Sequence, residues 1–293
     1  MAIFITVLQI VAPVFLLALI GFAWVRLGFE YQMQFVTRLT MTISVPALIF
    51  TALVKTEIDR SALLAVIWAS CAAYAFVTVV FFVLIKLGKL EVKTFLAPLI
   101  FGNTGNLGLP LALFAFGDVG LGYAVVVFAI MAVYSFTFGI WLVAGSGSLL
   151  RVIKEPILGA TLLGAVFMYQ GWELPIWTLN TLELIGQMAI PLMLITLGVA
   201  LARLSAGRVG RAFGLSILKA LVCAGSAWMA GAYFELEPIP LAVLIVQVST
   251  PVAVTSYLLA EKYGADADQV AGLVVVSTLL SVVTLPLILG FLI

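Results

Sequence analysis

The chain has 293 residues, 65% of them hydrophobic and 9% charged, with a net charge of +1 and no histidine. A membrane-spanning helix takes about 20 apolar residues, so about ten such helices use up a chain of this composition, leaving no length for a soluble catalytic domain. The charge balance and the lack of a basic run exclude a nucleic-acid partner, and without imidazole neither a His-based triad nor a His-ligated metal site can form. No enzyme, cofactor or metal-binding function is read.

The first hydrophobic run, 3–27, lacks a basic leading segment and a small-residue cleavage site, so it reads as a retained helix and not a signal peptide. Further runs fall at 35–54, 61–86, 94–117, 120–144, 154–172, 177–203, 209–234, 240–261 and 269–293, giving ten spans. Cys71 and Cys223 lie inside two of these runs and read as packing residues. The odd-numbered breaks carry Arg26, Arg38, Lys86, Lys89, Lys93, Arg151, Lys154, Arg203, Arg208, Arg211 and Lys262, whereas the even-numbered breaks carry only Lys55 and Arg60. The positive-inside rule then places the odd breaks in the cytoplasm and both termini outside a multi-pass cell inner membrane.

Sliding the chain against itself by 145 residues lays Pro46 on Pro191, Thr51 on Thr196 and LAPLI (96–100) on LAVLI (241–245). A slide of 143 lays Pro13 and Gly21 on Pro156 and Gly164. These offsets predict two repeats, 1–148 and 149–293. Five spans apiece is an odd number, so the second repeat enters the membrane from the opposite side, the inverted arrangement on which alternating-access carriers are built.

Span four contains GNTGNLGLP (102–110) and its partner, span nine, contains QVSTPVAVTS (247–256). Pro110 and Pro251 each remove a backbone donor, Gly105 and Gly108 loosen the chain beside the first, and Asn103, Thr104, Asn106, Gln247, Ser249, Thr250, Thr255 and Ser256 place polar groups at mid-membrane depth. Such a load is stable in hydrocarbon only where the opened backbone faces protein or a wet cavity. Two crossed, opened helices present half-helix N-termini, which suit a carboxylate. Pro13, Pro46, Pro156, Pro191 and Pro286 lack that polar load and read as plain kinks.

At these residues the chain resembles the auxin efflux carrier family, bacterial relatives of the plant auxin exporters. Asn103, Gly108 and Pro110 match its first crossover, Gln247, Pro251 and AEKYG (260–264) its second, and STLLSVVTLPL (277–287) its last helix. The resemblance implies a bile-acid-symporter-like fold, all-α with ten spans in two inverted repeats. Spans one, two, six and seven (about 3–54 and 154–203) would then form a scaffold and homodimer surface, and spans three to five and eight to ten (about 61–144 and 209–293) a moving transport domain. It also implies that Asn103 is the ligand of the substrate carboxylate. Asn106 departs from the apolar or aromatic residue common in the family there, so the substrate does not transfer with it.

Lys219, inside span eight, reads either as a lysine snorkelling to the surface or as a coupling group whose ammonium stands where related carriers hold sodium. No carboxylate lies at mid-membrane, which disfavours sodium and leaves proton coupling or uniport. The expected function is therefore elevator-type secondary transport of a small organic anion, a mono- or dicarboxylate or an auxin-like acid. An anion-selective channel or uniporter built on the same crossover is the alternative.

Overall fold

The computed structural model describes residues 2–55, 59–144, 156–204 and 209–292. The boundary expected at 148/149, with Arg151, Lys154 and Arg208, lies outside the described residues.

The described residues are helical apart from turns and one isolated antiparallel bridge. After α1 (Ala2–Arg26), the second span runs as α2 (Met33–Leu39), a π-helical turn (Thr40–Ser44) and α3 (Val45–Lys55). Pro46 has no N–H, and the turn before it widens so that the Val45 N–H reaches back to the Thr40 carbonyl. Asp59 caps α4 (Arg60–Leu87), its carboxylate accepting the Ser61 N–H at 3.0 Å. Next come α5 (Val92–Ile100), a π-helical turn (Thr104–Gly108), α6 (Leu109–Tyr134), a third π-helical turn (Ser135–Gly139) and α7 (Ile140–Ala144). The later part comprises α8 (Pro156–Gln170), α9 (Ile176–Gln187), α10 (Ala189–Arg203), α11 (Val209–Tyr233), α12 (Pro238–Val248), α13 (Val254–Tyr263) and α14 (Ala267–Leu292).

Seven helical stretches among the described residues are long and apolar enough to cross a membrane: Phe4–Arg26, Met33–Lys55, Ser61–Leu87, Thr104–Val143, Ile176–Arg203, Val209–Tyr233 and Ala267–Leu292. Three features separate this from the ten runs read in the sequence. Span nine is cut between α12 and α13, neither of which reaches spanning length. Span six is the 15-residue α8, about 22 Å long at about 1.5 Å per residue. The lower part of span four runs into span five as one 40-residue stretch. Gly117 marks the expected boundary inside it, at φ 64°, ψ −156°, a backbone region essentially reserved for glycine.

Two close helix pairs stand against one another in the same part of the molecule. α1 packs on α10, where a Cβ on Gly21 would sit 2.8 Å from the Ile195 carbonyl carbon. α3 packs on α8, where a Cβ on Gly164 would sit 3.4 Å from the Phe50 Cα. Shifting Gly21 by 143 gives Gly164, and shifting Phe50 by 145 gives Ile195, so the two contacts correspond residue for residue. Small residues let helix backbones touch in this way where lipid offers no hydrophobic drive for association.

Candidate functional site

The chain opens twice in the membrane, and the two openings meet. α5 stops at Ile100, Phe101 is extended (φ −88°, ψ 117°), and the chain becomes helical again only at Thr104. α12 stops at Val248, Pro251 lies in the gap, and α13 begins at Val254. Gly102 and Val252 form an antiparallel bridge between the openings, with the Asn103 N–H donating to the Pro251 carbonyl at 2.7 Å. The Val252 N–H is taken by the Ser277 hydroxyl of α14 at 3.0 Å. This pairing answers the demand that every backbone group in hydrocarbon find a partner.

Glycine at two positions lets the strands approach. A Cβ on Gly102 would overlap the Thr250 hydroxyl and lie 2.9 Å from the Thr250 carbonyl oxygen, and a Cβ on Gly108 would lie 2.8 Å from the Gln247 side-chain carbonyl carbon. The two prolines act differently. Pro251 lies in the opening itself, whereas Pro110 falls in the first turn of α6, where its missing N–H accompanies the π-helical turn: the Leu109 N–H bonds back to Thr104. The opening on that side falls instead at Phe101–Asn103, upstream of the expected hinge at Gly105, Gly108 and Pro110.

The seven polar residues predicted from the sequence as substrate-binding divide into two groups. Asn103, Thr104, Gln247 and Ser249 are buried, and the Asn103 Nδ2, the Thr104 hydroxyl, both ends of the Gln247 carboxamide and the Ser249 hydroxyl have no hydrogen-bond partner among the described residues. Elsewhere in the bundle several buried hydroxyls bond back to their own helix, as Thr51 does to Ala47 at 2.9 Å, Ser70 to Val66 at 2.6 Å and Thr278 to Val274 at 2.7 Å, whereas the Thr40, Ser44, Tyr74 and Ser216 hydroxyls are unpartnered singly or in pairs, without carboxamides beside them in the sequence. Thr250 is fully buried but donates to the Gln247 carbonyl at 2.7 Å, closing the end of α12. Asn106 is half-buried in the π-helical turn. Thr255 is exposed, on the first turn of α13 and outside the buried crossing.

Lys219 is 2% exposed, and its Nζ donates to the Leu99 carbonyl at 3.0 Å, with the Cys223 thiol 3.9 Å away. It does not snorkel to the surface. Its charge sits at the C-terminal end of α5, where the helix dipole is negative and a carbonyl is free because the helix stops. Among the described residues, no three His, Cys, Asp or Glu side chains are grouped so as to hold a metal ion.

Ser277 escaped the sequence reading although it lies in the segment that resembles the family's last helix; its partner is a backbone N–H, which a sequence does not display. Phe101 escaped it as well. Its ring meets Tyr134 edge-on at 5.4 Å, and Tyr134 stacks on Phe138 at 5.0 Å.

A family model described as "Membrane transport protein" matches residues 6–148 and 145–289, nearly the whole chain. The chain belongs to this family. The resemblance to the auxin efflux carriers stands with it, and the protein is a multi-pass membrane transporter, not an enzyme. An uncharacterized transporter of Methanothermobacter thermautotrophicus is 28% identical over 298 residues, covering 95% of this chain and 96% of its own. Another, from Methanocaldococcus jannaschii, is 27% identical over 216 residues, 69% of this chain and 67% of its own. A "putative malonate transporter" of Rhizobium meliloti is 24% identical over 201 residues, 63% of this chain and 62% of its own.

Proposed function

We propose that this transporter is a secondary carrier for a small organic anion and that the crossing is its substrate site. The observation that carries the reading is the set of unpartnered buried groups at one point: the Asn103 amide, the Gln247 carboxamide and the Thr104 and Ser249 hydroxyls. A buried polar group left without a partner costs about 1–3 kcal/mol, so several together favour a ligand that brings oxygen acceptors. The half-helices that restart at Thr104 and Val254 add N-terminal dipoles of the sign that attracts an anion. The relative named for malonate makes a short mono- or dicarboxylate the first substrate to try, ahead of a bulkier auxin-like acid.

The same reading takes the chain as ten spans in two inverted repeats. The correspondence between the Gly21–Ile195 and Gly164–Phe50 contacts supports that arrangement, since a duplicated unit repeats its contacts. α1–α3 and α8–α10 then act as scaffold and homodimer surface, and α4–α7 and α11–α14 as the half that carries the site across the inner membrane in an elevator motion, both termini outside. Lys219 serves this half as a built-in cation. The absence of a carboxylate at the crossing favours proton coupling or uniport over sodium.

Purified protein in proteoliposomes tests the assignment by uptake of labelled malonate, malate and pyruvate. Saturable uptake that Asn103→Ala abolishes is the expected result. Normal flux in that variant, or a flux that never saturates, overturns the site or the carrier mechanism respectively.

A further inference from the structure

The unpartnered groups at the crossing are not all donors. Asn103 Nδ2 and Gln247 Nε2 carry N–H groups and the Thr104 and Ser249 hydroxyls can donate, but Gln247 Oε1 can only accept, and it too is buried without a partner among the described residues. Exchanging the two ends of the Gln247 carboxamide changes nothing, because neither end is bonded.

This acceptor is held in place. The Gln247 side chain seats on Gly108 so closely that a Cβ there would lie 2.8 Å from the carboxamide carbon and 3.1 Å from Nε2. The Gly108 N–H bonds back to the Asn103 carbonyl at 3.2 Å, which ties the carboxamide to the turn that carries Thr104 and follows Asn103. On the other side the Gln247 main-chain carbonyl takes the Thr250 hydroxyl at 2.7 Å and fixes the end of α12. A buried acceptor that cannot turn away calls for a donor on the ligand, and an ionised carboxylate has none.

The charges point the same way. Lys219 is the one charged side chain among the buried described residues, and its ammonium bonds to Leu99, in the last turn of α5 before the opening. The other buried titratable side chains on the helices around the crossing are Tyr74 of α4, Tyr123 of α6 and Cys223 of α11, with Tyr134 of α6 and Tyr257 of α13 half-buried, and none of them is a carboxyl or an amine. One cation beside the crossing balances one negative charge. A dianion would leave a net charge in a low-dielectric setting, which is costly.

We infer that the crossing selects a monoanion that brings its own hydrogen-bond donor, so that a short dicarboxylate is taken singly protonated. One carboxylate receives the Asn103 amide and the hydroxyls, and the second carboxyl, as the acid, donates its O–H to Gln247 Oε1. The inference rests on the crossing being the transport site. The proton stays bonded to the ligand during translocation and dissociates into water on the far side, so one proton travels with each dicarboxylate and no protein carboxylate has to carry it.

The test uses full-length protein in proteoliposomes with labelled malonate and, as competitor, monomethyl malonate, a monoanion throughout the pH series that has no donor. As the outer pH rises past the second ionisation of malonic acid, KM for total malonate is expected to rise about tenfold per pH unit, while KM reckoned on hydrogen malonate stays constant. The ester is expected to compete at least about tenfold more weakly than hydrogen malonate, with no pH dependence, because it leaves Gln247 Oε1 unpaired. Gln247→Met is expected to raise KM for malonate and to erase the preference for hydrogen malonate over the ester. Thermal unfolding in detergent shows whether that variant folds, and the two series on the parent protein decide the question without it. A KM for total malonate that is flat or falls with rising pH, an ester that competes as well as hydrogen malonate, or no malonate uptake overturns the inference. Asn103→Ala separates it from the site itself: loss of uptake in that variant beside a flat pH series in the parent keeps the crossing and removes the monoanion class, whereas normal uptake removes both.

Discussion

Gly102→Ala probes the crossing at its tightest point. The new Cβ lands 2.9 Å from the Thr250 carbonyl oxygen and 3.3 Å from the Thr250 Cβ, besides overlapping the Thr250 hydroxyl. Thr250 has little room to retreat, because its hydroxyl and its N–H both engage the Gln247 carbonyl, at 2.7 and 3.3 Å. Gly102 is pinned from the other side by the 2.7 Å bond between the Asn103 N–H and the Pro251 carbonyl. Relief therefore separates the two strands at that bond. Overpacking of this kind costs about 1–3 kcal/mol, and a stretched buried hydrogen bond about 1 kcal/mol more, so a loss of about 2–4 kcal/mol is expected. Thermal unfolding in detergent, read by tryptophan fluorescence, and proteoliposome uptake measure it, with Gly159→Ala and Gly225→Ala as controls at positions where a Cβ meets nothing within 4 Å. Adding Thr250→Ala removes the hydroxyl overlap but not the carbonyl contact, so the double variant recovers only part of the loss. If Gly102→Ala unfolds and transports as the controls do, the crossing is not packed as described.

Two smaller perturbations separate packing from backbone geometry. Gly198→Ala places a Cβ 2.7 Å from the Ala18 carbonyl carbon at the α1–α10 seam, where neither backbone can yield, and it lowers stability by about 1–3 kcal/mol in the same unfolding assay. Gly117→Ala meets nothing within 4 Å, so its cost is the backbone conformation alone, about 1–3 kcal/mol; uptake per folded molecule is expected to stay at the parent level.

The polar load around Pro110 and Pro251 was readable because asparagine, glutamine and proline are expensive in hydrocarbon and have to be explained there. What it did not reveal was register. Thr250 and Thr255 are the same residue type five positions apart, yet one closes a helix end and the other is exposed on the first turn of α13, because the opening between α12 and α13 turns the chain between them. The break before Asn103 was placed too late for a related reason: Gly102 is required by the approach of Thr250 from a distant part of the chain, and local sequence shows only a glycine. The partners of Lys219 and Ser277 are main-chain atoms, alike at every position. The ten runs outnumber the seven spanning stretches because a hydropathy window passes over the short opening between α12 and α13, because α8 has only 15 residues, and because the helical stretch Thr104–Val143 continues through Gly117, where the sequence places a boundary.

Lys219 gives the transport cycle a testable asymmetry. No charged side chain is among the residues that meet at the crossing, so a bound monocarboxylate is held by neutral donors and half-helix ends, with the Lys219 ammonium at the end of α5 as the neighbouring formal charge. On the proposed elevator reading, the loaded half carries the lysine and the anion together and is close to neutral, whereas the empty half carries the lysine alone. An uncompensated buried charge costs several kcal/mol, and about 1.4 kcal/mol is already a factor of ten in rate. The empty return is then the slow step, and exchange of a monocarboxylate across the membrane runs at least about tenfold faster than its net uptake. Lys219→Met removes the charge difference and leaves the Leu99 carbonyl without its donor, so exchange falls while the ratio of exchange to net uptake moves toward one. Counterflow and net uptake measured in the same proteoliposomes give both numbers. A ratio that Lys219→Met leaves unchanged refutes the charge argument, and parent-like transport in Lys219→Ala or Lys219→Gln with unchanged ion dependence removes Lys219 from the mechanism.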